Sequence, residues 1–115
     1  MTNTLCPAPW EHHCVNTNGR NRLCCNAVTS ASKFLDGFEE YWSGEELQKV
    51  RQQMIAGERP DACISCWKKE DAGIKSLRQG MIEGLKNREG EWEKFTNDLN
   101  YVHKYPLSLD LKLGT

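Results

Sequence analysis

The spacing of the cysteines constrains the fold of this chain more than any other feature of the sequence. After Cys6, 17 residues precede the adjacent pair Cys24 and Cys25, and 37 more precede the CxxC pair Cys63 and Cys66. The turn of a CxxC lets two thiolates face one ion, and a bound metal lowers the thiol pKa so that the cysteines bind as thiolates. A fold that returns the earlier cysteines to this turn would create a four-sulfur metal site.

The composition favours metal ligands over disulfides. A chain of 115 residues with 38% hydrophobic and 27% charged residues is one domain with a lean core, which a metal would help to stabilise. The first residues lack the basic start and apolar run of a secretory signal, and no segment has the ~20 apolar residues of a membrane span. We therefore expect a cytoplasmic protein, in which clustered cysteines are metal ligands. A net charge of −1 indicates no nucleic-acid partner and no membrane partner.

A β-hairpin is predicted over residues 12–25, after an extended segment 1–11. Asn18-Gly19 is typical of a type I′ turn, in which both central residues have positive φ. The hairpin would return Cys24 and Cys25 toward Cys6. Because adjacent residues on a strand face opposite sides, only one of the pair should be a ligand, and we favour Cys24.

Two to three helices are predicted after a loop-like stretch, 26–42. Ser43 and Glu46 form a capping-box pattern that starts a helix ending near Gly57. Apolar residues at helical spacing predict further helices over about 67–85 and 89–103. Residues 106–113 then alternate leucine with polar residues, which predicts a strand with no sheet to join. The expected fold class is α+β.

The remaining cysteine and the two adjacent histidines are predicted to have structural roles. Cys14 is predicted to be a small buried apolar residue, and His12 and His13 to be ordinary surface residues rather than ligands. For the four-cysteine set, the residues alone do not separate tetrahedral zinc from a four-thiolate iron–sulfur cluster.

Several blocks of the sequence, in order, resemble the twitch and SPASM auxiliary domains of radical S-adenosylmethionine proteins. The first blocks are CxxPW (Cys6, Pro9, Trp10) and Val15-x3-Gly19-x4-Cys24-Cys25. The next is WSxExLxxVRxxMxxGExP, from Trp42 to Pro60, and the last is CxxCxxxExxGxxSxR, which includes Cys63, Cys66, Glu70, Gly73, Ser76 and Arg78. The resemblance spans roughly residues 6–78.

The resemblance implies an auxiliary [4Fe–4S] cluster bound by Cys6, Cys24, Cys63 and Cys66, with zinc as the alternative. Residues 1–87 would form the metal-binding domain, and 88–115 a linker helix and the first strand of a radical S-adenosylmethionine barrel. That barrel would be the partner, in cis or in trans, together with a peptide substrate. The CxxxCxxC motif that binds the S-adenosylmethionine-cleaving cluster does not occur in this sequence, so S-adenosylmethionine would bind only through the barrel.

The same resemblance suggests roles for residues around the cluster. Pro9 and Trp10 would pack against the cluster site. Glu70, Ser76 and Arg78 would join a helix to the hairpin or face the barrel, and the simpler alternative for Arg78 is a surface salt bridge.

Overall fold

The structure is a computed structural model that describes residues 4–24, 27–31, 33–102, 106 and the backbone of 108–111. The described part of the chain is α+β. Its elements, in order, are α1 (Ala8–Glu11), β1 (His12–Val15), β2 (Asn21–Arg22), a 3₁₀ turn (Phe34–Asp36), α2 (Phe38–Trp42), α3 (Glu45–Ile55), a second 3₁₀ turn (Asp61–Cys63), α4 (Ile64–Asp71), α5 (Leu77–Lys86), α6 (Glu91–Asn97) and β3 (Ser108–Leu111). Within these residues, no helix has the length and apolar character needed to cross a membrane.

The predicted hairpin is present, but its turn differs from the predicted type. β1 and β2 pair antiparallel, with Cys14 opposite Arg22. Gly19 has a φ of +81°, whereas no residue other than glycine has positive φ among those described, so Asn18 does not adopt the type I′ conformation. The Gly19 N–H donates to the Asn16 carbonyl at 2.8 Å, which is typical of a three-residue loop ending in a left-handed glycine.

The C-terminal strand joins this hairpin, so the prediction that it has no sheet to join was wrong. β3 runs parallel to the first strand, with His13 opposite Leu109, and the strand order is β2-β1-β3. The partner of β3 is the free edge of β1. The sequence of residues 12–15 is too weakly patterned to predict that β1 would pair with a third strand. The predicted apolar face, from Leu107 to Leu113, falls on side chains outside those that the structure describes.

The N-terminal segment is not fully extended as predicted, because residues Ala8–Glu11 form α1. Four hydrogen bonds with distant parts of the chain hold this segment. Their donors and acceptors are the Thr4 hydroxyl to the Met54 carbonyl (2.8 Å), Arg78 to the Leu5 carbonyl (2.8 Å), Arg51 to the Pro9 carbonyl (2.8 Å) and the Trp10 indole to the Leu99 carbonyl (2.8 Å). The backbone on both sides of Cys6 is therefore fixed to α3, α5 and the chain that follows α6.

Helix α3 confirms the predicted helix, but not its capping box. Gly44, not Ser43, is the N-cap residue, and no side chain caps this terminus. The Ser43 hydroxyl instead donates to the Glu39 carbonyl of α2 at 2.8 Å. The helix α2 and the 3₁₀ turn before it occupy the stretch that we predicted to be loop-like.

The single helix predicted over 67–85 is two helices, so that prediction was wrong. Gly73, with a φ of +77°, ends α4. The N–H groups of Ile74 and Gly73 donate to the carbonyls of Lys69 (2.8 Å) and Glu70 (3.0 Å), which is the Schellman pattern of a helix end. Ser76 then starts α5 with a capping box completed by Gln79. The last predicted helix is also shorter than expected, since α6 spans Glu91–Asn97.

Aromatic side chains surround His13 on one side of the sheet, and we call this group the His13 cluster. Its members are His13, Phe34, Phe38, Tyr41 and Trp42, with centroid distances from the imidazole of 4.7 Å to Phe38, 5.3 Å to Tyr41, 6.3 Å to Phe34 and 6.4 Å to Trp42. His13 is fully buried, so the prediction that it lies on the surface was wrong. Its Nε2 lies 3.0 Å from Oδ1 of Asn21, which is also buried.

Candidate functional site: a gap lined by four cysteines

Four cysteines that are far apart in the sequence line a single buried gap, which we call the cysteine gap. Its lining residues are Cys6, Cys24, Cys63, Cys66, Leu23, Leu77, Arg78 and Met81. All four cysteines are buried, and no disulfide joins any two of the five cysteines that the structure describes. Cys25 lies outside the described residues, so the preference for Cys24 over Cys25 as a ligand stays a prediction.

The hairpin returns Cys24 to the CxxC through backbone contacts. Cys24 lies two residues after the end of β2. The N–H of Val28, four residues later, donates to the carbonyl of Ala62 at 2.9 Å. The Arg22 guanidinium donates to the Ala27 carbonyl at 2.7 and 3.1 Å, which holds the same loop against β2. The loop that carries Cys24 is thereby joined to the turn that carries Cys63.

The CxxC lies at the start of α4. Cys63 closes the 3₁₀ turn that follows Pro60 and is the N-cap residue of the helix, and Cys66 lies in its first turn. The Trp67 indole donates to the Pro60 carbonyl at 2.9 Å and so fixes the approach to this turn. The helix dipole favours negative charge at a helix N-terminus, which is where the CxxC lies.

Burial opposes ionisation of two of the gap cysteines, Cys63 and Cys6. It raises the pKa of Cys63 to about 12, the neighbouring Cys24 and Cys66 raise that pKa further, and Arg78 lowers it. The pKa of Cys6 is likewise raised, chiefly by burial and in addition by Cys24, Cys63 and Cys66. The gap cysteines are thus near enough to interact electrostatically, and burial disfavours the thiolate forms of Cys6 and Cys63.

The donor set suits a four-thiolate metal centre, although the side chains are not already arranged around one point. The lining residues include no histidine or carboxylate, which leaves an all-sulfur set of the kind that binds zinc or an iron–sulfur cluster. Among the described residues, no group of three or more His, Cys, Asp or Glu side chains has an arrangement that could hold a metal ion. Binding would therefore have to draw the sulfur atoms together while it removes their protons.

Arg78 forms a buried ion pair at the wall of the gap, so the alternative of a surface salt bridge was wrong. Its Nη2 and Nε donate to the two carboxylate oxygens of Glu70 at 2.5 and 2.8 Å, and the Ser76 hydroxyl donates to the same carboxylate at 2.6 Å. The hydrogen bond from Arg78 is the largest of the effects that lower the pKa of Glu70. Arg78 joins α5 to α4 and, through the Leu5 carbonyl, to the residue before Cys6.

Three lining residues were not recognised as part of the site from the sequence. Leu77 and Met81 are among the apolar residues whose spacing predicted a helix over about 67–85, and Leu23 was not singled out. The Cys6 thiol is 4.0 Å from the Met81 sulfur. The available signal was the spacing of Leu77, Arg78 and Met81 on α5, which places all three on neighbouring faces of one helix.

The other candidates near the hairpin lie outside the gap. Cys14 is fully buried in β1, which confirms its prediction as a small apolar residue. His12 is partly buried and does not line the gap. Trp10 is buried against Phe95, with ring centroids 5.4 Å apart, rather than in the gap lining. Comparisons of the chain with protein-family models, with curated proteins and with solved structures found no match.

Proposed function

We propose that this chain is an auxiliary module that binds one [4Fe–4S] cluster through Cys6, Cys24, Cys63 and Cys66. The observation that carries the proposal is that these four residues, spread over 61 positions from Cys6 to Cys66, line one buried gap with no histidine or carboxylate in its lining. A cluster of this type supplies one-electron chemistry when bound.

The burial of four cysteines in one gap gives a physical reason for a metal here. Four buried thiols stabilise the fold no more than apolar residues of similar size would. Because they are far apart in the sequence, bringing them to one gap lowers the conformational entropy of the chain. A metal that binds only the folded chain would stabilise it by mass action and would offset that entropy. This also accounts for the low hydrophobic content, 38%.

The partner in this proposal is a radical S-adenosylmethionine barrel, in cis or in trans. The chain alone has no CxxxCxxC motif, so the module would pass electrons or position a substrate such as a peptide, and would not itself cleave S-adenosylmethionine. β3 supports a sheet-mediated connection, because it is the edge strand of the described sheet and is already paired in parallel. Parallel pairing is the arrangement of strands in a β/α barrel.

Structural zinc binding is the second candidate, because the same all-sulfur lining suits a tetrahedral ion. In that case the chain would be a protein-interaction module whose fold depends on zinc. Chelators would then unfold the colourless protein.

The test is a determination of iron, sulfide and zinc on protein purified without oxygen, with a visible absorption spectrum. The proposal predicts about four irons with equal sulfide per chain and a broad sulfur-to-iron absorption. Zinc in a colourless sample, with no cluster formed after anaerobic reconstitution with iron and sulfide, would favour the structural module. If the purified chain contains neither iron nor zinc, and reconstitution forms no cluster, the metal-binding proposal is overturned.

A further inference from the structure

Arg78 is a buried cation at the wall of the cysteine gap. Its exposed fraction is 8%, and among the residues that line the gap it is the only one with a positive charge. The guanidinium donates to the carbonyl of Leu5, which is bonded to Cys6, and its carbon lies 5.1 Å from the ring centroid of Trp67, which follows Cys66. One side chain therefore contacts both segments that carry the first and last of the four cysteines.

Glu70 balances this charge in the metal-free chain. It lies four residues after Cys66, one turn further along α4, and receives two hydrogen bonds from Arg78 and one from Ser76. The Arg78 and Glu70 side chains are 9% and 11% exposed, so both charges are largely removed from water. Because such a pair is often no more stabilising than apolar residues of the same volume, stability alone does not explain it.

Metal binding changes the charge balance of the gap. Four thiolates around a divalent ion or an oxidised [4Fe–4S] core leave a net negative charge, and reduction of a cluster adds one more. A buried cation in the wall then stabilises the bound centre, and stabilises its reduced form more, because the interior screens charge less than water. The negative charge of Glu70 has the opposite effect, because it destabilises the bound centre and destabilises its reduced form more.

We propose that Arg78 and Glu70 set the metal affinity and the reduction potential of the four-cysteine site, with Arg78 as the positioning residue that favours the anionic centre and Glu70 as its counterweight. This inference rests on the proposed function. It assigns to two residues of this chain opposite effects on one measurable quantity, whereas a merely structural clamp would give effects of the same sign.

The experiment compares Arg78→Gln and Glu70→Gln with wild type in the full chain loaded with iron and sulfide. The reduction potential is measured by anaerobic titration of the visible absorption. Arg78→Gln should lower the potential and Glu70→Gln should raise it. If each removed charge changes the relative affinity for the two oxidation states tenfold, each shift is about 59 mV for one electron.

Metal affinity provides the second measurement, by competition of the zinc-loaded chain with a chelator. Arg78→Gln should weaken zinc binding by about tenfold or more, as is typical when a group that orients or charges a metal ligand is removed. Lys75→Gln is the matched control, because it removes the same charge from an exposed position just before α5, and it should leave affinity and potential unchanged.

Arg78→Lys covers the case in which Arg78→Gln does not fold. It keeps the charge but not the paired hydrogen bonds, so its potential should stay nearer to wild type than that of Arg78→Gln or, if the latter is unfolded, within the range of the Lys75→Gln control. Shifts of the same sign for Arg78→Gln and Glu70→Gln, or an Arg78→Lys potential outside that range, would overturn the inference while leaving the metal site intact. A wild-type chain that binds neither zinc nor a cluster would overturn the proposed function and this inference together.

Discussion

The cysteine gap and the His13 cluster are two buried regions that differ in whether their polar side chains are charged. At the cysteine gap, Arg78 and Glu70 remain charged and satisfy each other. In the His13 cluster, Asn21 faces one imidazole nitrogen, and Nδ1 of His13 has no hydrogen-bond partner among the described residues. Burial lowers the pKa of His13 to about 4 from an ordinary value of 6.5, so the imidazole is neutral near neutral pH.

The contrast teaches where this small fold can accommodate charge. Aromatic rings around His13 offer no compensating anion, so a proton there costs free energy of folding. The cysteine gap has a cation, a carboxylate and a helix N-terminus in its surroundings, so an added charge is met by existing groups. A site for a charged metal centre is therefore expected at the gap and not at the cluster.

The largest expected effect comes from removing a sulfur from the gap. Cys63→Ala should abolish formation of a four-thiolate centre, because the remaining sulfurs leave one position without a protein ligand. Sulfur-to-iron absorption after anaerobic reconstitution is the measurement. Cys14→Ala is the matched control, since it removes a buried cysteine outside the gap, and it should keep the absorption. If both variants lose the absorption equally, cysteines that line the gap do not differ from a buried cysteine outside it.

The next largest effect concerns the pH dependence of folding. Because the folded pKa of His13 lies below the unfolded value, the unfolded state binds the proton more tightly. The free energy of unfolding should be highest above pH 6.5 and should fall by about 1–3 kcal/mol as the pH drops toward 4.

Urea unfolding of the metal-free chain at several pH values measures this slope. His13→Phe should flatten the part of the slope that His13 causes, whereas His12→Phe, at the partly buried neighbour, should retain it. If His13→Phe leaves the slope unchanged, burial in the His13 cluster does not disfavour protonation of the imidazole.

Two glycines extend the comparison to the helices beside each region. A Cβ on Gly44, between α2 and α3 next to the His13 cluster, would lie 2.2 Å from the Glu40 carbonyl oxygen, whereas one on Gly80 of α5 meets nothing within 4 Å. Gly44→Ala should therefore destabilise the fold by about 1–3 kcal/mol. Gly80→Ala should stabilise it by about 0.5–1 kcal/mol, because alanine favours a helix interior. Thermal unfolding of both variants tests the pair, and equal changes would contradict it.

The smallest effect is expected at an exposed ion pair. Arg59 forms two hydrogen bonds of 2.9 Å with Asp71, but the side chains are 50% and 60% exposed. Arg59→Gln should leave the unfolding midpoint unchanged within error, because water screens such pairs. Arg78→Gln, at a similar charge pair that is buried, should lower it clearly. Similar midpoints for the two variants would mean that burial does not distinguish them.

Local chemistry explains which elements the sequence predicted. The Asn18-Gly19 dipeptide predicted a hairpin correctly, although only Gly19 adopts positive φ, because the loop has three residues and not two. The apolar spacing that predicted α3 is likewise local. The break between α4 and α5 was missed even though its signals, Gly73 and the Ser76-to-Gln79 capping box, are present, because the apolar stripe runs across the break.

Non-local pairing explains what the sequence did not predict. β3 joins β1 across more than 90 positions, and the short run 12–15 shows no alternation that would indicate a central strand. His13 is buried because helix α2 and the 3₁₀ turn before it cover the sheet, and neither element was predicted. The predicted division of the chain at residues 87 and 88 stays a prediction.

By itself, the sequence determined the chemistry available to this protein: thiols with CxxC spacing, no excess charge, and helices set by local spacing and capping. Only the tertiary structure decided that Leu23 and Met81 line the gap with the cysteines, and that Arg78, paired with Glu70, lies in its wall. The physical reason is that propensity and capping act within a few residues. The approach of Cys6 to Cys63 depends instead on long-range hydrogen bonds, such as that from Arg78 to Leu5, which no local pattern reveals.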